Sequence, residues 1–530
     1  MAGESVPALF EAALETAPLT PIDHLLVMPV ALSFLFGAGL LVMRKRIDLH
    51  APVAVMGAIM LLFVDLILLW RVAGTGPVTM MMGGWRPPFG IAFTLDVAGA
   101  LFLAASAVTA LACCVHAGIA VPRAERRYGF FPFFFLMMAG VQGAFLTGDV
   151  FNLYVWFEVL LIGSFGLVIL GSRPEQLDGA TKYAFLNLVG TTLFLVTTGL
   201  LYGTFGTLNM ADIALKARAM EGEGTLLSIA VLYFAAASIK AAAFPVNFWL
   251  PASYHTPRFV VSALFAGLLT KVGVYAGIRI LLMLFPLERA AMADVISLVA
   301  ILTMIVGALG ALAQDDLRRL LNFVVVAGIG TIFAGLAPQS GGPAAMAGLS
   351  GALFYAAQSM VVMAALYLAA GWAAQETGAV RLSAMGGLWR RSPLFSAALL
   401  ALLFSFAGLP PFPGFWPKVQ LVKAALLDGR PWLAAAILAS GLVLTIVAAR
   451  IVAFALWRPA PDGLVPAAAA QAGTPGEATH RPLGPILALA LVVTLVGLLP
   501  QGLARLTELG AAGILDPQAY VESVFGSPPE

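Results

Sequence analysis

The stretch "SIAVLYFAAASIKAAAFPVNFWLP", residues 228–251, decides how this chain folds. It is long and apolar enough to cross hydrocarbon, yet it carries Lys240, and five residues later Pro245 removes a backbone donor and breaks the helix. A helix broken at membrane depth is tolerated where it is buried in protein or lines a wet cavity, because lipid satisfies none of the freed backbone groups. A second stretch, "LALLFSFAGLPPFPGFWPKVQLVKAAL" (400–426), repeats the arrangement: Gly408, Pro410, Pro411, Pro413 and Gly414 interrupt it, and Lys418 follows. Two such helices in corresponding halves point to a transporter built from inverted repeats.

Composition sets the class. Hydrophobic residues are 61% of the chain and charged residues 11%, against about 25% charged in an ordinary soluble domain. The expected fold is an all-α polytopic membrane protein of about fourteen transmembrane helices. They run roughly 24–43, 52–72, 97–118, 128–147, 150–171, 182–202, 225–250, 259–284, 292–313, 318–337, 345–371, 393–424, 431–457 and 484–503. The Pro-broken helices are the seventh and twelfth. They are five apart, an odd number, so they cross in opposite directions, as in inverted repeats of spans 4–8 (128–285) and 9–13 (286–457). No repeat is visible by residue identity. The remaining parts are an acidic exported segment (1–23), three leading spans (24–127) with a Gly/Pro/Thr-rich hairpin at 74–96, a Pro/Ala/Gly-rich cytoplasmic loop (458–483), the last span (484–503) and a C-terminal tail (504–530).

Charge asymmetry orients the spans. Of the 29 Lys and Arg residues, 16 fall in alternate loops on one side, including Arg44-Lys45-Arg46, Arg123/Arg126/Arg127, Arg318-Arg319 and Arg381/Arg390/Arg391, and seven on the other. The basic side reads as cytoplasmic, which puts both termini outside. With a net charge of +2 and this composition, nucleic acid is not an expected partner; the lipid bilayer is. Cys113 and Cys114 are neighbours in an apolar span, point about 100° apart, and read as small apolar fillers rather than a disulfide or metal site.

Six basic residues lie inside spans: Lys240, Lys271, Arg279, Lys418, Lys423 and Arg450. Glu158 joins them in "FNLYVWFEVLLIGSF" (151–165), where an unpaired charge costs about 2.5 kcal/mol or more. Lys423 reads as snorkelling to the interface, Arg279 and Arg450 as structural, and Lys418 either as a functional charge or as a donor to carbonyls freed by the break. Lys271, in "SALFAGLLTKVGVYAGIRI", is far from either end of its span. Burial penalises the charged form of acids and bases alike, so both can be brought to exchange protons. Were Glu158 and Lys240 close, each would stabilise the other's charge, and a proton on Glu158 would release Lys240 toward Lys271. No phosphate loop, zinc spacing or Cys cluster accompanies them, so no cofactor or metal is expected. The five histidines sit at span ends and loops, with His255 bordering the broken seventh span.

These residues resemble a family. "GAFLTGDVFNLYVWFEVLLIGSFGL" (143–167), "IKAAAFPVNFWLP" (239–251), "ALFAGLLTKVGVYAGIR" (263–279), "AQDDLRRLL" (313–321) and "GLPPFPGFWPKVQLV" (408–422) are similar to the antiporter-like subunits shared by Mrp-type multisubunit sodium/proton antiporters and the membrane arm of respiratory complex I. The likeness runs from about residue 20 to 505. "LTKVGVYA", "GFWPK" and "TLNMADI" (207–213) bring it nearest to the D-type members of Mrp antiporters.

The resemblance implies a proton relay of Glu158, Lys240, Lys271 and Lys418. Asp149, Pro245, His255, Tyr355, Gln358, Ser359, Pro411 and Pro413 would support it. It also implies partnership with other membrane subunits of the same complex, H+ and Na+ as the transported ions, and a place in the bacterial inner membrane. Tyr355, Ser359 and Met363 stand where the family carries basic or polar residues on the eleventh span, and "FVVVAGIGTIF" (323–333) lacks the usual serines. Either ordered water with Tyr355, Gln358 and Ser359 bridges Lys271 to Lys418, or the second half-channel is weakened. The alternatives are a proton-pumping subunit of a complex I-like or hydrogenase-linked oxidoreductase, and a non-conducting scaffold subunit.

Overall fold

The structure, a computed structural model, describes residues 23–220, 224–459 and 482–526. The acidic segment up to residue 22, residues 460–481 of the loop expected at 458–483, and the last four residues of the tail lie outside them. The helices in chain order are α1 (Asp23–Val42), α2 (Ile47–Thr75), α3 (Val97–Ala120), α4 (Phe130–Leu146), α5 (Val150–Ile169), α6 (Pro174–Phe205), α7 (Gly224–Ala241), α8 (Phe259–Leu284), α9 (Ala293–Ala313), α10 (Leu317–Ala334), α11 (Pro343–Thr377), α12 (Pro393–Ala407), α13 (Phe415–Leu427), α14 (Pro431–Trp457), α15 (Gly484–Leu498), α16 (Gln501–Leu515) and α17 (Gln518–Phe525). Five shorter helices of four to ten residues lie in the connections.

Among the described residues, 11 helices are long and apolar enough to cross a membrane, or 12 if α15 and α16, bent by 78°, form one span. The expected fourteen therefore do not all stand as single full-length helices. The shortfall has local causes. α4 has 17 residues, and the twelfth span is divided into α12 and α13, of 15 and 13 residues.

The apolar windows of α8 and α11 are buried along their whole length, whereas most of α2, α6, α9 and α14 faces outward. A helix apolar on every side belongs in an interior. α8 and α11 form that interior, and the other spans surround them. Lipid tails are as apolar as leucine, so close helix approach relies on small residues. A Cβ on Gly140 of α4 would lie 2.4 Å from the Leu160 backbone nitrogen of α5, and one on Gly163 of α5 would lie 2.5 Å from the Met137 nitrogen of α4. α9 and α10 pack the same way, with Gly307 at 2.3 Å from the Ala327 nitrogen and Gly330 at 2.6 Å from the Met304 nitrogen.

Residues 74–96 contain a small antiparallel sheet, β1 (Val78–Met81) and β2 (Ala92–Leu95), in register Val78 to Leu95 through Met81 to Ala92. Among the described residues this is the one departure from an all-α description. The C-terminal segment is more ordered than a tail. α16 lies against α3, where a Cβ on Gly510 would meet Ala98 at 3.2 Å. α17 docks on the sheet through Ser523 and Thr79, 2.8 Å apart. The Tyr520 ring lies 5.4 Å from the Arg279 guanidinium, which forms a buried ion pair with Asp96. Arg279 is therefore a structural tie, as expected, joining α8, the start of α3 and α17.

Lysines at two helix breaks and on a central helix

α7 stops at Ala241, and the chain turns through Ala242 at φ 63°. The groups freed there find partners. Trp249 Nε1 donates to the Ile239 carbonyl at 3.0 Å, and the Phe244 amide donates to Thr303 Oγ1 of α9 at 2.9 Å. Lys240, in the last turn before this break, is buried, and its ammonium finds no hydrogen-bond acceptor among the described residues. It sits over the Phe157 ring of α5, 5.2 Å from the centroid, as a cation–π pair. Tyr183, Asn187, Trp249 and Tyr254 line the same small cavity.

Glu158 is not part of that cavity. It lies half-buried on the outward stripe of α5 with Phe151, Ile162 and Ile169, which are 41%, 57% and 43% exposed. The helical period puts Phe157, one residue earlier, toward Lys240 and turns Glu158 away from it. No ion pair or hydrogen bond joins the two among the described residues. The expected buried Glu158–Lys240 contact is thus corrected to an indirect one, with an aromatic ring at the lysine and the carboxylate at the protein surface.

Lys271 follows a π-helical segment of α8, Phe265–Leu269. Such a wide turn leaves a carbonyl without its usual partner, and Lys271 Nζ donates to the Ala266 carbonyl at 2.7 Å. A cavity beside it is lined by Gly328, Tyr355, Gln358, Ser359, Met363 and Phe406. The three polar residues expected to bridge toward Lys418 therefore face the same cavity as Lys271. From there Ser405 Oγ of α12 donates to Gln358 Oε1 at 3.5 Å, and Lys418 Nζ donates to the carbonyl of Ala407, two residues on, at 2.6 Å. Gly408 ends α12 with φ 84°, and a Cβ there would lie 2.6 Å from Lys418 Nζ, so a side chain would strain the backbone and push Lys418 aside. Pro413 is buried in this break and Pro411 is exposed.

Other candidates have plainer surroundings. Asp149 caps α5, accepting from the Asn152 amide at 2.7 Å. Arg450 donates to the carbonyls of Leu312 and Gln314 at the end of α9, and Lys423 is exposed. His255, between α7 and α8, donates through Nδ1 to the Pro251 carbonyl at 2.9 Å, and its Nε2 stands 3.4 Å from an Arg319 guanidinium nitrogen. Burial first, and then the Arg319 charge, hold its imidazole below the usual histidine range. Ser405 and Asn187 were not sequence candidates, because an isolated serine or asparagine in an apolar run carries no distinctive signal. Asp65 was not one either, although "LLFVDLILLW" (61–70) marks it as Glu158 is marked. Among the described residues no group of three or more His, Cys, Asp or Glu side chains is placed to hold a metal.

Known proteins share this sequence and this fold. Residues 147–445 match the family model described as NADH:quinone oxidoreductase/Mrp antiporter, TM. The chain is 34% identical to the D component of the Na(+)/H(+) antiporter of Alkalihalophilus pseudofirmus, over 95% of this chain and 100% of that protein. It superposes on a chain of the Mrp complex from Dietzia with a TM-score of 0.86 at 31% identity, covering 96% of this chain and 100% of that one. A chain of respiratory complex I from Thermus thermophilus matches with a TM-score of 0.78 at 25% identity, over 92% and 99%.

Proposed function

This chain belongs to the NADH:quinone oxidoreductase/Mrp antiporter family of membrane subunits, and from that premise we propose that it is the proton-conducting subunit of a multisubunit Na+/H+ antiporter. The observation that carries the reading is the placement of lysines at both breaks and on a central helix: Lys240 in one cavity, Lys271 with Gln358 in another, Ser405 bonded to Gln358, and Lys418 at the Ala407 carbonyl. Lys271 and Lys418 are held by backbone carbonyls, while Lys240 has none among the described residues, so Lys240 is the member free to exchange its proton and move. Glu158, on the surface of α5, is the entry carboxylate. Its partly exposed, intramembrane position suits an interface with another membrane subunit of the same complex.

The relay rests on an inverted repeat of spans 4–8 and 9–13, supported by a constant offset of 167 residues. It relates the ends of α4 and α9 (146 and 313), the starts of α5 and α10 (150 and 317), their capping Asp149 and Asp316, and the glycine pairs Gly140/Gly307 and Gly163/Gly330. Fourteen crossings, if α4, the divided α12–α13 span and the bent α15–α16 pair each count as one, would put both termini on the side of the β1–β2 sheet. The positive-inside rule would make that side the outer, periplasmic one, and the likeness to bacterial antiporter components supports the bacterial inner membrane.

The test is cation-dependent dissipation of a pH gradient in membrane vesicles containing the whole complex. Glu158→Gln and Lys240→Ala are expected to abolish it while assembly stays normal; retained flux in either variant refutes the relay. The likeness to a complex I chain keeps a redox-linked proton pump as the second reading. Flux that requires an electron donor and ignores Na+ would select it.

A further inference from the structure

Apart from those lysines, one polar cluster lies among the leading helices. Asp65 of α2 is fully buried. Gln142 of α4 donates through Nε2 to Asp65 Oδ2 at 2.9 Å and to Ser106 Oγ of α3 at 3.2 Å. Ser106 directs its own proton to the Leu103 carbonyl at 2.7 Å. Both Gln142 N–H directions are thus engaged, and two acceptors remain, Asp65 Oδ1 and Gln142 Oε1, buried and without a partner among the described residues.

The balance is one-sided. Every donor in the cluster is used, and the surplus consists of oxygen acceptors, one on a carboxyl group. Asp65 forms no ion pair among the described residues; α8, packed on α3 and α4 through Tyr275, carries Lys271 and Arg279, which are engaged by the Ala266 carbonyl and by Asp96. Asp23 and His24 begin α1, and Asp48, His50 and Arg71 stand toward the ends of α2. Cys113, Cys114 and His116 lie on the far half of α3, α4 has no titratable residue, and Arg123, Glu125, Arg126 and Arg127 form a short helix at the basic end. The one hydrogen bond to Asp65 comes from a neutral amide. An ionised carboxylate held this way is left largely uncompensated, at a cost of several kcal/mol, roughly as for any isolated buried charge. A proton on Oδ1 removes that charge and supplies the missing donor.

We propose that Asp65, positioned by Gln142 and Ser106, is a second proton-binding site, set in the membrane half nearer the β1–β2 sheet and separate from those lysines. Ten residues separate Asp65 from the end of α2 at Thr75, about 15 Å of helix. Loading transfers a proton from hydronium to Oδ1, forming an O–H bond and leaving water. Unloading reverses it and leaves a carboxylate that Gln142 alone supports. The proton is exchanged during transport and not held permanently, so the site serves proton uptake or release on that side. The inference does not rest on the lysine relay.

Infrared spectroscopy of the purified complex reads the protonation directly. The C=O stretch of a protonated carboxyl is expected in the wild type, shifted by deuterium exchange and absent in Asp65→Asn. Gln142→Leu removes the hydrogen bond to that carbonyl and should move the band to higher frequency, a test that survives if Asp65→Asn fails to assemble. Lys240→Ala should leave the band in place, which separates this proposal from the relay. In vesicles, Asp65→Asn is expected to lower cation-dependent proton flux by roughly tenfold or more, as for loss of a proton-transfer group. A carboxyl region identical in wild type and Asp65→Asn, or full flux in an assembled Asp65→Asn complex, overturns the proposal.

Discussion

Lys240 differs from Lys271 and the half-buried Lys418 by a single bond. Lys271 and Lys418 each rest on a backbone carbonyl freed by a helix irregularity, whereas Lys240 faces an aromatic ring. Replacing Phe157 with Leu removes the ring but keeps the packing. Flux should fall several-fold, less than for Lys240→Ala, if the ring stabilises the charged lysine by about 0.5–2 kcal/mol; an unchanged rate would argue against that role. His255 gives a pH prediction. Its imidazole is held below the usual range by burial and Arg319, so it is neutral and without effect on stability above the unfolded value of about 6.5. Below that pH the unfolded chain takes up a proton that the folded state resists, and stability is lost. His255→Gln should remove this acid-side loss, seen as a smaller drop in melting temperature between neutral and acidic buffer. At this scale the lysines were legible, because a charge in an apolar run stands out. The rotation of Glu158 away from Lys240 was not, since facing is set by packing around α5 and not by spacing along the chain.

The broken helices were the most legible elements, because proline and glycine act through the backbone wherever the chain runs. Their consequences are testable at Gly408, where an added side chain would meet a positive φ and the end of Lys418. Gly408→Ala should destabilise the protein by about 1–2 kcal/mol from the backbone term alone and displace Lys418 from the Ala407 carbonyl. Loss of flux together with a lowered melting temperature checks it. The paired glycines of α4–α5 and α9–α10 make a companion case. Gly307→Val forces a side chain against the Ala327 backbone, and overpacking of this kind costs about 1–3 kcal/mol. Neither the π-helical turns of α8 nor the order of α16 and α17 was readable in advance. A π turn differs from an α turn by one residue of slack, and a docked amphipathic helix owes its order to the surface beneath it.

For the whole molecule, composition alone was enough for a polytopic helical membrane protein, and the likeness to known relatives supplies the family. Sidedness can be tested at the tip of the sheet connection, where Phe89 is 75% exposed and the chain's own cysteines, Cys113 and Cys114, are buried. A Phe89→Cys variant should react with a membrane-impermeant maleimide added to intact cells; protection there combined with labelling in inverted vesicles would reverse the orientation. The half-exposed Glu158 has a consequence beyond transport. In the proposed complex a neighbouring subunit would cover Glu158, whereas a copy without its neighbours would hold it against acyl chains, where an ionised carboxylate costs about 2.5 kcal/mol or more. The same side chain therefore discriminates orphan from assembled subunits. Made in excess of its partners, this chain should be short-lived in the membrane, and Glu158→Gln should lengthen the lifetime of the orphan while impairing the complete machine.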